Sequence, residues 1–95
     1  MKKFIVFIAG KNLLIKDEKE VIQNSGFYTT RFINADNSSH AKSNSLTLIR
    51  EELNGIILND FSNPPVIEVN ELNEVDSFGD NQVPGAGFTW YIEDS

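Results

Sequence analysis

The densest run of chemistry-bearing side chains lies between residues 68 and 80, where Glu68, Glu71, Glu74, Asp76 and Asp80 alternate with Asn70 and Asn73. Hard oxygen donors of this kind suit calcium or magnesium. A carboxylate pair can also divide acid and base roles, as in glycoside hydrolysis. The spacing argues against both. As a calcium loop, the stretch from Asp76 would be interrupted by Phe78 and Asn81, and Gly87 would stand where a bidentate Glu belongs. A glycosidase pair requires a deep cleft in a larger fold. The carboxylates therefore read first as a solvated interaction surface. Use of Glu68–Asp80 as a weak divalent-cation or small-molecule site, or as an enzyme, is the alternative, and needs them to converge in a pocket with raised pKa values.

Other candidate chemistry is thin. His40 is the only histidine, so no paired-histidine metal site can form, and its place near a helix start disfavours the charged imidazolium. Ser38, Ser39, Ser43 and Ser45 crowd the same helix without a base oriented to activate them. They read as capping and surface residues, and Asn37-Ser38-Ser39 as a cap rather than a glycosylation site. Gly85-Ala86-Gly87 precedes a strand, whereas phosphate-cradling glycines follow a strand and open onto a helix. The chain has no cysteine, which removes disulfides, thiolate nucleophiles and Cys-based metal sites and suits a reducing, cytoplasmic setting. No catalytic residue, metal or cofactor is expected.

Charge carries more information. All eight Lys and Arg residues fall within the first fifty positions beside four carboxylates, and residues 51–95 hold ten carboxylates and no basic side chain. The net charge of −6 opposes binding to phosphate backbones. Only Arg31, near Phe27 and Tyr28, would offer a nucleic acid a stacking platform. The acidic half suits a basic protein partner instead, with attraction that speeds encounter and fades with salt.

The elements that must position these residues follow from periodicity. Phe4–Ala9 is continuously apolar, the pattern of a central strand covered on both faces. Its six apolar residues after Met1-Lys2-Lys3 fall short of the roughly 7–15 of a signal-peptide core, and no run approaches the roughly 18 of a membrane span. Asn12–Ile22 fits a short hairpin or an irregular excursion, and Asn24-Ser25-Gly26 a turn. Phe27–Ile33 reads as a strand. A helix follows the caps at Asp36–Ser38, with Ala41, Ser45, Leu48, Ile49 and Leu53 on one stripe and Leu46 at its edge. Asn54-Gly55 stops it, with Ile56 placed for the closing apolar contact. Val66–Val69 begins a third strand and Phe88–Glu93 a fourth, with Phe88, Trp90 and Ile92 on one face and Thr89, Tyr91 and Glu93 on the other.

The sum is one domain over residues 1–95 of the α+β class. It has an antiparallel or mixed four-stranded sheet in β-β-α-β-β order, room for an extra hairpin at 12–22, and one helix on one face. One helix covers one face only. Tyr28, Tyr91 and Thr89 would decorate the other, to be covered by loops, a second protomer or a partner.

The segments Gly26–Phe32, Pro64–Val69 and Pro84–Phe88 together resemble a group of small uncharacterised bacterial proteins of about this length, a resemblance that implies no activity. More loosely, the strand and capped helix of Phe27–Leu53 resemble the HicB-type antitoxin core. The expected function is a non-catalytic protein-binding module of inhibitor, antitoxin or immunity type. Glu68, Glu71, Glu74, Asp76, Asp80, Tyr28 and Tyr91 are its candidate binding residues. A structural homodimer is a further alternative.

Overall fold

A long hairpin dominates the fold. The computed structural model describes residues 1–93, so Asp94, one of the ten carboxylates of the acidic half, lies outside the described residues. Strand β1 (Lys2–Lys16) turns back into β2 (Ile22–Ala35). At the turn, Asp17 Oδ1 accepts from the backbone N–H groups of Lys19 at 2.8 Å and Val21 at 2.9 Å, and Gln23 donates to Oδ2 at 2.7 Å. These bonds to the ionised form, that from Val21 foremost, hold the Asp17 carboxyl below the usual carboxylate range. Residues 12–22 thus form the far end of the first two strands and not an extra hairpin.

Asn24-Ser25-Gly26 does not turn; it lies within β2. Gly26 is opposite Tyr91, whose ring occupies the space a Cβ would need. On the opposite face Gly10 plays the same part for the ring of Phe27, its cross-strand neighbour. Both glycines serve close approach of an aromatic partner, which composition alone does not distinguish from a turn.

Helix α1 (Ser38–Leu53) is capped by Asn37, whose Oδ1 accepts from the His40 N–H at 2.9 Å. Its buried residues are Ala41, Ser45, Ile49 and Leu53, with Leu46 and Leu48 half-buried at the sides, as the stripe predicts. Burying Ile49 and Leu53 completely contributes about 2 kcal/mol each. After the helix Gly55 takes φ 86°, but the closing apolar contact differs from expectation. Ile57 packs on the core and bridges to Ile15, while Ile56 stays exposed.

Strands β3 (Val66–Val75) and β4 (Thr89–Ile92) complete one antiparallel sheet in the order β3-β1-β2-β4. The fold is therefore α+β, as the order of elements predicts. Both β2 and β3 run opposite to β1, so α1 crosses over the strand between them and packs against all three. Phe4, Val6, Ile8, Leu13, Phe27 and Ile33 face α1 and form the core with its stripe. Past Gly10 the register slips: Lys11 and Asn12 share one opposing position, and Asn12 takes φ 59°. The loop after α1 is tied to this bulge, since Asn59 accepts from the Leu14 N–H and donates to the Asn12 carbonyl. Among the described residues no helix is long and apolar enough to cross a membrane.

Candidate binding surface

The two faces of the sheet hold different chemistry, and Arg31 marks the first. It lies at the centre of β2 opposite Val6, on the helix side, with no exposed surface. Its guanidinium donates to both carboxylate oxygens of Glu52 on α1, the second at 2.9 Å, and to the Gly87 carbonyl at 3.1 Å. Nε donates to Thr29 Oγ1 at 3.0 Å, and that hydroxyl in turn donates to the Gly87 carbonyl at 2.8 Å. The Phe88 ring lies against the guanidinium, 5.2 Å from its carbon to the ring centroid. Arg31 is thus a buried clasp joining sheet, helix and the loop before β4. Arg31 offers a nucleic acid no stacking platform, because its side chain is buried beneath the helix. Neither Glu52 nor the Gly87 carbonyl was foreseen. The available signal was an arginine at an inward position of an aromatic strand, which demands a buried counter-ion.

The opposite face carries the two tyrosines. Tyr28 pairs with Ala9 and Thr89, and Tyr91 lies over Gly26, so the alternation of β2 and β4 turns both away from α1. The Tyr28 ring stacks between Phe7, at 5.7 Å and 10° between planes, and Tyr91, at 5.4 Å and 27°. Partial burial, then the neighbouring Tyr28 and the Glu93 charge, raise the pKa of the Tyr91 phenol. Residues 12–22 extend the hairpin and cover none of this face. The loop between β3 and β4 closes only one corner, where Phe78 packs edge-on against Phe32 and the Phe32 N–H donates to the Pro84 carbonyl. Tyr28 remains 42% exposed. Beside it a dip of about 110 Å³ opens above Ala9, ringed by Lys11, Tyr28, Val66, Glu68 and Asn70.

Three of the five candidate carboxylates lie on β3, at the border of the sheet. β3 is an edge strand, and a register shift opposite Phe7–Ile8 divides its acids. Glu68 opposes Ala9 and Glu71 opposes Phe7, so both lie on the tyrosine side; Glu74 opposes Phe4 on the helix side. Asp76 and Asp80 follow in the exposed loop. The acids do not converge: among the described residues no group of three or more His, Cys, Asp or Glu could hold a metal ion.

The pronounced segregation along the chain is diluted in space, because basic β1 lies directly inside acidic β3. Lys2 approaches Glu74 at 3.7 Å, Lys3 pairs with Val75, and Lys11 pairs with Val66. Those lysines cluster at the two ends of β3 and leave Glu71 at its middle, while the outer border of the strand pairs with no other strand among the described residues. His40, the serines and Gly85-Ala86-Gly87 assemble no reactive group with these acids. The chain matches no known family model, no curated protein and no solved structure, so any functional reading rests on this geometry.

Proposed function

We propose that the chain is a non-catalytic binding module that acts in the cytoplasm and takes a basic protein segment along the acidic border formed by β3 and the loop after it. The observation that supports this reading is the edge position of β3. It leaves Glu68, Glu71 and Glu74 exposed on an outermost strand and Asp76 and Asp80 exposed in the loop after it, with lysines at the inner ends of the strand. An edge strand with this charge also resists pairing with copies of itself, since unpaired backbone groups edged by carboxylates repel a like strand and admit a cationic one. Attraction of this kind sets the encounter rate and specificity and weakens as salt screens it.

Titration of the isotope-labelled chain with a hexa-lysine peptide tests the reading. Amide shifts are expected to concentrate between residues 66 and 80, to vanish at high ionic strength, and to be absent with hexa-glutamate. Glu68→Gln combined with Glu71→Gln should abolish them. Shifts scattered over the whole surface, or binding indifferent to salt, would exclude the border as the recognition element.

A further inference from the structure

An open cavity adjoins the outer edge of β3. Among the described residues β3 pairs only with β1, so the alternate backbone N–H and C=O groups that point away from β1 have no strand to bond. At the start of the strand Ile67 and Pro65 line a cavity of about 490 Å³, together with Arg50 and Leu53 of α1 and Ile57 beyond it. Its volume falls in the range of pockets that take a ligand. It lies on the helix side, because Ile67 pairs with Gly10, over which the Phe27 ring sits, and packs against the core. The walls are fixed in advance. The Asn59 side chain accepts from the Leu14 N–H and donates to the Asn12 and Asn63 carbonyls, and Asn12 Nδ2 donates to the Pro64 carbonyl. Docking here therefore orders little of the chain itself.

Directly opposed residues of neighbouring strands share a face, and successive residues alternate between faces. A residue added opposite Ile67 would point to the helix side, beside the cavity. Its neighbours in sequence would point to the tyrosine side, where Glu68 is exposed and Glu71 follows past the register shift. Charge fixes which face takes which residue. Arg50 at the cavity disfavours a cation there, whereas Glu68 and Glu71 favour one across the strand. We infer, on the basis of the acidic-border reading, that the basic segment binds as an added β-strand along the outer edge of β3. One apolar side chain of the segment fills the cavity beside Ile67, and lysine or arginine at alternate positions faces Glu68 and Glu71. Backbone pairing then supplies affinity, and the cavity and the alternating charge supply specificity.

Titration of the isotope-labelled chain at low salt with the capped peptide Lys-Thr-Lys-Phe-Lys-Thr tests this. Amide shifts are expected at Leu53 and Ile67 as well as along β3, with slower hydrogen exchange of the β3 amides. The rearranged peptide Lys-Lys-Lys-Phe-Thr-Thr, of equal charge and composition, should bind at least about tenfold more weakly, and so should the first peptide with Ala in place of Phe. N-methylation separates the two edges of the bound strand. Methyl groups on one alternate set of peptide amides should abolish binding, and on the other set should change it less than about twofold. Asn54→Trp, which brings a ring into the cavity, should remove the effect of the peptide Phe and leave the hexa-lysine shifts unchanged. Equal affinity for the two sequences, or equal loss from both methylated sets, overturns the added strand, while hexa-lysine shifts on β3 leave the acidic border standing. Shifts of the β3 amides on dilution without peptide, as pairing with a second copy would give, also overturn it. The absence of shifts with any of these peptides up to about 1 mM overturns both readings.

Discussion

One sheet presents two aromatic faces with opposite fates. Beneath α1 every polar group is closed off: Arg31 is matched by Glu52, Thr29 and two loop carbonyls, and among the described residues no buried side-chain nitrogen or oxygen lacks a partner. On the other face Tyr28 stacks between Phe7 and Tyr91, yet it stays 42% exposed. The contrast separates groups that hold the fold together from groups left available. A buried cation is tolerable only where its counter-charge and acceptors arrive together from several elements. An exposed aromatic row needs no such assembly and is free to meet something outside.

The contrast breaks most decisively at Arg31. Arg31→Ala leaves the Glu52 carboxylate without its donor and the Gly87 carbonyl with the Thr29 hydroxyl alone, and is expected to cost about 3–5 kcal/mol in denaturant unfolding. Glu52→Ala, which strands the cation instead, should cost a similar amount. The double change Arg31→Met with Glu52→Leu should recover much of that loss, because hydrophobic replacement of a buried pair is often neutral. A double variant no better than the singles would mean that Arg31 is held chiefly by the loop carbonyls.

Neighbouring aromatic residues on opposite faces sharpen the comparison. Phe27 is fully buried and packs edge-on against Phe88 and Trp90, so Phe27→Ala should destabilise the chain by about 3–5 kcal/mol. Tyr28→Ala removes two stacked contacts on an open face and should cost only about 1 kcal/mol of protomer stability. A large loss for Tyr28 in a dilute, monomeric sample would show that the open face also holds the fold.

The smallest expected effect lies at the hairpin tip. The Asp17 carboxyl is held below its usual range by hydrogen bonds to its charged form. Its contribution is therefore complete above the unfolded-state pKa of about 4 and is lost as pH falls through the lower folded value. Asp17→Asn should lower stability slightly near neutral pH and leave it little altered in strong acid, and so flatten the acid limb of the stability curve. An unchanged acid limb would show that these bonds do not distinguish the folded from the unfolded turn.

Local pattern determined much of this molecule. The apolar run Phe4–Ala9, the β-branched and aromatic run Phe27–Ile33 and the alternation of Phe88–Glu93 place strands, because period two reports directly on a sheet with two faces. The cap at Asn37 and the stripe Ala41–Leu53 place the helix for the same kind of reason, whereas the register of the sheet decides that Tyr28 and Tyr91 lie on the face away from it. Tertiary structure alone decided what lies beside what. Strand order set basic β1 against acidic β3, so a charge division that is complete along the chain becomes partial in space. It turned Gly26 from an apparent turn residue into the seat of Tyr91. It also brought Glu52 and the carbonyls of residues 85 and 87 to Arg31 from 21, 54 and 56 positions away. Periodicity reports which way a side chain faces, whereas partners so distant in sequence are chosen only when the whole chain closes.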